Sequence, residues 1–356
     1  MNISIIGLGL IGGSIARSLK KNGTGFTVNA FDYKETLDLA LEQHVIDSAL
    51  SSPAESVKSD FIFLCLPVNS SLEIFRELIP LLNENTIITD VCGVKGEFQN
   101  IWDSLHKNGI YIGGHPMTGK EKGGYLNSDP LLFENAVYIL TDTNSDVQIK
   151  QDFFSVIQTL GARIVQLDPY LHDKVVANVS HLPQLLSVAL VNAAAKGSDI
   201  INNLDFAAGG FRDMTRIASS SFNIWEPVLH FNRDEILFAL ENFENEMQSI
   251  KSLLAGERFN EIEDYFNRAG ISRDCIPKDT KGFISPLFHI SVYVKDQPGM
   301  ISEISTALYH AQINIKDIEL LKIREGSGAT FRFAFDNETD SITAKSIIIN
   351  LGFEVS

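Results

Sequence analysis

GLGLIGGS, residues 7–14, stands directly behind the apolar run ISII (3–6) and ahead of an amphipathic stretch from Ser14 to Asn22. Strand, glycines and helix in that order form a dinucleotide-binding turn, with Gly7, Gly9 and Gly12 in G-x-G-x-x-G spacing. Gly7 permits the tight turn, Gly9 lets the backbone approach a pyrophosphate, and Gly12 allows helix to pack closely on strand. Leu8, Leu10 and Ile11 complete the loop. The phosphates belong at the helix N-terminus, where unpaired N–H groups and the helix dipole favour an anion. Asp32 follows the next strand-like run, FTVNAF (26–31), and lies 20 residues beyond Gly12. A carboxylate there accepts from the ribose hydroxyls and repels a 2′-phosphate, so the expected cofactor is NAD rather than NADP.

Outward from this turn, the runs DFIFLCL (60–66), TIITDV (86–91), YIGG (111–114), AVYIL (136–140) and ARIVQL (162–167) alternate with amphipathic stretches. Near-continuous apolar strands spaced by helices predict an α/β Rossmann-type doubly wound parallel sheet over residues 1–167. The pattern changes at Asp168-Pro169, an N-cap followed by proline at the first helical position. Residues 168–280 then carry helical periodicity and read as an all-helical domain. Its apolar helices are expected either to pair two copies into a homodimer or to form an intrachain core. Residues 271–286, with two prolines and a glycine among charges, read as a linker. Strand, helix, two strands, helix and a short strand follow, a small α+β ferredoxin-like (βαββαβ) domain over 286–356.

Composition narrows the partners. At 356 residues, 44% hydrophobic and 21% charged, the chain suits a soluble protein of two or three domains. A formal charge of −16 opposes nucleic acid and anionic membranes. No apolar stretch approaches the roughly 20 residues of a membrane span, and Met1-Asn2 leads straight into a strand rather than a signal peptide. Cys65, Cys92 and Cys275 are odd in number and widely spaced, so neither a disulfide framework nor a metal site is expected, and a cytoplasmic location is.

Ligands of such a sheet bind outside the carboxyl ends of its strands. Those ends are Leu66-Pro67-Val68, Asp90-Val91-Cys92-Gly93 and Gly114-His115-Pro116. Leu66, Pro67 and Gly93 are therefore expected at the cofactor. His115 is the histidine at such an edge, and imidazole suits the acid/base partner of a hydride transfer. It opens GGHPMTGKEKGG (113–124), whose glycines are expected to let the backbone bend around a small acid, with Lys120 and Lys122 either drawing in a dicarboxylate or standing as solvated charges. In the helical domain His172, His181, Gln184, Asp213 and Arg216 are candidates. His181 and Gln184 share a helix face, whereas nine residues at about 100° each set His172 opposite His181 on a straight helix, unless Pro183 kinks it. Arg216, with Asp213 a turn earlier, suits bidentate capture of a carboxylate.

GLGLIGGS, TDVCGVKG (89–96), GGHPMTGKEKGG, HDKVVANVSHLPQ (172–184) and GGFRDMTRIA (209–218) together resemble, in order and spacing, the prephenate/arogenate dehydrogenase family. VKDQPGMISEIS (294–305) resembles the first loop and helix of an ACT domain. The resemblance implies NAD-linked oxidative decarboxylation of prephenate, or alternatively of arogenate. It implies that His115 removes the ring hydroxyl proton, that Arg216 binds the ring carboxylate, and that Glu121, His181, Asp213 and His172 surround the substrate. Gly93 stands where the family commonly has a serine supporting the histidine, so Cys92, a water or a backbone group must serve instead. Gln184 ends SHLPQ where the family pattern ends in histidine, at a position facing the substrate side chain. The C-terminal domain is implied to bind an amino acid, tyrosine above all, through Asp296, Pro298 and Gly299 with Asn314 on the next strand. A β-hydroxyacid dehydrogenase would instead need a lysine, Lys174 or Lys196, as its acid/base, and a non-catalytic sensor of NAD and amino acid is a further alternative.

Overall fold

In the computed structural model the first strand, β1 (Asn2–Ile6), leads through the glycine turn into α1 (Leu10–Asn22). β2 (Thr27–Phe31), α2 (Lys34–Glu42), β3 (Ser48–Ala49), β4 (Phe61–Leu64), α3 (Val68–Leu78), β5 (Ile87–Asp90), α4 (Gly96–Ser104) and β6 (Ile110–Tyr111) follow. The six strands form a parallel sheet in the order β3-β2-β1-β4-β5-β6. β4 and β5 are buried at every position because both faces are covered. Ile3, Ile5 and Phe63 pack with Ile15 and Leu19 of α1 and with Phe153 and Ile157 on one face. Ile6, Ile62, Leu64 and Ile88 pack with Phe75 of α3 and Phe98 and Trp102 of α4 on the other. Strand order reverses between β1 and β4, which opens a crevice at their carboxyl ends beside the glycine turn. The structure describes residues 1–23, 25–105, 107–120, 122–141, 147–196, 202–275, 287–324 and 328–356.

The run expected as one strand, YIGG, is divided at Ile112 between two sheets. β6 ends at Tyr111, and β7 (Gly113–Pro116) joins a second sheet with β8 (Val137–Thr141) and β9 (Arg163–Leu167), with α5 (Val147–Thr159) between the last two. β7 and β8 are antiparallel and place His115 opposite Ile139, whereas β8 and β9 are parallel. The two glycines of β7 allow this crossing by their lack of bulk. A Cβ on Gly114 would lie 2.5 Å from the Asp90 carbonyl oxygen, and one on Gly113 would lie 2.3 Å from Thr141 Oγ1. Close packing of strand on strand, rather than a bend around a small acid, is what these two glycines serve.

The helical part comprises α6 (Pro169–Val176), a π-helical turn (Ala177–His181), α7 (Leu182–Ala194), α8 (Gly209–Thr215), α9 (Phe222–Phe231), α10 (Arg233–Ala255) and α11 (Phe259–Asp274). The Asp168 carboxylate accepts from the Tyr170 and Leu171 N–H groups, which starts α6. The run Pro169–Ala194 is long and apolar enough to cross a membrane by length and composition, which the sequence reading did not anticipate. It nevertheless holds His172, Asp173, His181 and Gln184 buried inside the protein. α11 continues to Asp274, so the start of the expected linker is helical, and the rest of it, 276–286, lies outside the described residues.

Two compact units result, Met1–Asp264 and Tyr265–Ser356. The second contains β10 (Phe288–Lys295), α12 (Met300–His310), β11 (Asp317–Arg324), β12 (Gly328–Phe335), α13 (Glu338–Asn350) and β13 (Glu354–Val355). Its antiparallel sheet has the order β11-β12-β10-β13 and packs Val292, Phe333 and Phe335 against Ile304, Leu308 and Ile348 of the two helices. This is the ferredoxin-like arrangement expected from the order of elements.

Candidate active site

Geometry at the glycine turn fits a dinucleotide phosphate. Gly7 has φ +97°, a conformation that favours glycine, and its N–H donates to the Phe31 carbonyl at 2.8 Å. A Cβ on Gly12 would lie 1.9 Å from the Gly7 carbonyl oxygen, so only glycine lets α1 start this close to the turn. A Cβ on Gly9 would meet no atom within 4 Å, which leaves room for a ligand where α1 begins. Leu8 is buried beneath the turn while Leu10 and Ile11 are half-buried. Asp32 accepts from the Leu8 N–H with one oxygen and from the Tyr33 N–H at 2.6 Å with the other, which fixes its carboxylate against the turn. Across the crevice, Leu66 is half-buried and the exposed Pro67 caps α3.

At the end of β5 lies a buried polar cluster that sequence reasoning missed. The Lys95 ammonium donates to Asp90 Oδ1 at 2.6 Å and to the Cys92 and Val94 carbonyls at 2.7 and 3.1 Å. Asp90 also accepts from Tyr111 Oη at 2.9 Å and from the Cys92 N–H at 2.8 Å. Burial pushes the Cys92 thiol up to about 12, aided by the Asp90 carboxylate, so Cys92 is a neutral packing group. Its sulfur points to the Leu66 carbonyl at 3.9 Å rather than to His115.

His115, half-buried on β7, meets His172 of α6, with Nδ1 to Nε2 at 2.8 Å. His172 Nδ1 in turn lies 2.8 Å from Asp173 Oδ1. Asp173 accepts from the Lys95 and Gly96 N–H groups, both at 2.8 Å, and so joins α6 to the start of α4. Burial first, then the neighbouring His172, Lys95 and His181, hold His115 well below the usual imidazole range. His172 is also lowered, again first by burial, although Asp173 opposes the shift. Both rings are accordingly neutral near pH 7.

His181 is brought to the same side of the helix as His172 by the π turn. One extra residue in that turn sets the phase back by about 100°, replacing the opposition expected of a straight helix. Pro183 follows it and cannot donate to the carbonyl four residues earlier, which favours the wider turn. Asn232 Nδ2 donates to the Asp173 carbonyl at 2.8 Å and to His181 Nδ1 at 3.1 Å, so the proton of His181 sits on Nε2. Burial pushes His181 down to about 4.

Other candidates are placed differently. Gln184 is buried and donates from Nε2 to the Ile217 carbonyl at 3.0 Å, which ties it to the turn after Arg216. Asp213 and Arg216 are exposed, on α8 and at the start of a 3-10 turn (Arg216–Ser219). Glu121 lies outside the described residues. Lys120 pairs with Asp129 at 2.8 Å. Lys174 and Lys196 are exposed, which leaves the β-hydroxyacid reading without a buried acid/base. In the second unit a cavity of about 420 Å³ is lined by Asp296 and Gly299 together with Val294, Met300, Leu320 and Phe331, while Pro298 and Asn314 do not line it.

A dinucleotide-binding turn at the carboxyl ends of β1 and β4, in a chain that also buries a neutral histidine pair, fits a nicotinamide-linked dehydrogenase. Comparison with known proteins specifies the kind. Residues 15–166 match the prephenate dehydrogenase nucleotide-binding domain, 168–268 the prephenate dehydrogenase dimerization domain, and 288–348 the ACT domain. Prephenate dehydrogenase of Bacillus subtilis (strain 168) is 34% identical over 97% of this chain and 95% of its own. Among solved structures, prephenate dehydrogenase from A. aeolicus in complex with hydroxyphenyl propionate and NAD+ is 32% identical over 78% of this chain and 98% of its own, with a TM-score of 0.71. Synechocystis arogenate dehydrogenase is 30% identical over 77% of this chain and 99% of its own, with a TM-score of 0.68. The chain belongs to the prephenate dehydrogenase family.

Proposed function

We propose that the protein oxidatively decarboxylates prephenate to 4-hydroxyphenylpyruvate with NAD, under feedback control by tyrosine. The observation that carries this reading is the neutral His115, held by His172 and turned toward Gly93 in the loop after β5. When bound, NAD supplies the acceptor for the hydride leaving C4 of the ring. His115 takes the proton of the C4 hydroxyl, so that a carbonyl forms as the hydride departs. Arg216, with Asp213 a turn earlier on the chain, holds the ring carboxylate until it leaves as CO2, and loss of that group aromatises the ring. Among the described residues no cluster suited to a metal ion occurs, and none of these steps calls for one.

Labour divides along the chain in this reading. Residues 1–167 bind NAD, 168–280 supply the substrate contacts and the face on which two copies pair, and 286–356 bind the effector. The dimerization-domain match supports the pairing, and the cavity beside Asp296 and Gly299 supports the effector site. Arogenate is the alternative substrate, which the similarity to Synechocystis arogenate dehydrogenase keeps in view.

The test is NADH formation with prephenate and with arogenate, each with and without tyrosine. Turnover of prephenate in preference to arogenate, depressed by tyrosine, is expected. Turnover of arogenate alone would assign the other substrate, and no turnover of either would overturn the reading.

A further inference from the structure

Where the family commonly has a serine, Gly93 offers no side chain to hold His115. A Cβ at that position would lie 3.8 Å from both Cε1 and Nε2 of His115, so this is the side that Nε2 faces. What anchors the ring lies behind it, on another element. Asp173 has only acceptors and already takes two backbone N–H groups, so the proton between it and His172 sits on His172 Nδ1. A neutral His172 then presents a bare Nε2. The contact of 2.8 Å with His115 requires a proton, which must be on His115 Nδ1. His115 Nε2 is thereby left as the unprotonated nitrogen, on the side of Gly93.

We propose that His172 is a positioning residue: oriented by Asp173, it fixes His115 through Nδ1 in the tautomer whose Nε2 can accept a proton. The inference rests on the dehydrogenase reading above. Its parts come from separate elements, β7 for His115, α6 for His172 and Asp173, and the start of α4 for the N–H groups that hold Asp173. The charged or titratable groups acting on His115 from the elements around it are His172, Lys95 and His181. His172 itself is fully buried, so water cannot replace the acceptor it provides.

Two substitutions separate this role from a merely structural one. His172→Gln places an amide oxygen near the position of Nε2 and keeps the acceptor for His115, but loses the bond to Asp173. His172→Asn keeps a donor for Asp173 near the position of Nδ1 and loses the acceptor for His115. Kinetics of the full chain with NAD and the better of prephenate and arogenate should show kcat down by at least about tenfold in His172→Asn, with both KM values within about twofold of the parent. His172→Gln should stay within about threefold of the parent kcat. Normal kcat in His172→Asn together with impaired kcat in His172→Gln would overturn the proposal, because Asp173 and the start of α4 would then be what matters. Equal kcat in the parent and both variants would overturn it too. If the parent forms no NADH from either substrate, the functional reading fails first, which distinguishes the two failures.

Discussion

Lys95 and Asp90 form an ion pair of 2.6 Å with neither side chain exposed to solvent. Tyr111 Oη and the Cys92 N–H satisfy the remaining acceptor capacity of Asp90, and two carbonyls satisfy the ammonium. The pair therefore holds the loop after β5, the same loop whose N–H groups fix Asp173. Lys95→Met should destabilise the protein by roughly 3–5 kcal/mol, because a carboxylate remains buried without its cation. Denaturant unfolding measures this, and a loss below about 1 kcal/mol would show that Asp90 escapes to water or is protonated at little cost.

Glycine substitutions should separate fold from ligand binding. Gly12→Ala should cost roughly 1–3 kcal/mol or more, since its Cβ meets the Gly7 backbone. Gly9→Ala should leave the melting temperature near that of the parent yet weaken NAD binding, because its methyl group fills space that is open in the protein alone. Calorimetric titration with NAD beside thermal melts checks the pair, and equal NAD affinity in Gly9→Ala and the parent would move the phosphate away from that position.

Acid should destabilise the protein through His181. Its folded-state value of about 4 lies below its ordinary 6.5, so the unfolded chain binds more protons between those values and stability falls as pH drops through that window. Melting temperatures from pH 7 to pH 4 should fall more steeply in the parent than in His181→Gln. Parallel slopes would show that His181 is protonated in the folded protein.

Arg216→Ala should weaken substrate by roughly 1.5–3 kcal/mol, the worth of a charged hydrogen bond, with NAD affinity kept. Unchanged substrate kinetics would remove Arg216 from the site. Asp296→Ala should abolish tyrosine inhibition at unchanged basal rate, and inhibition that persists in it would place the effector elsewhere.

The glycine turn and its strand and helix were legible because their causes are local: three glycines, an apolar run before them and a helical pattern after them. His115 was legible for the same reason, as a histidine at a strand end. Its partner was not. A straight-helix phase sets His172 against His181, and only the π turn before Pro183 brings both to one site. No periodicity in the apolar residues announces that turn. Burial of Lys95 was equally hidden, because a lysine in an apolar strand end ordinarily reaches solvent. Gln184 bonds a carbonyl 33 residues away, a relation that local pattern does not carry.

The central claim is that His115 is the base of a prephenate-oxidising site. Stopped-flow measurement of NADH formation by His115→Asn, saturated with NAD and prephenate, tests it most directly. The account predicts NAD affinity near that of the parent and hydride transfer slowed by roughly 10²- to 10⁴-fold. Hydride transfer at the parent rate in that variant would contradict it.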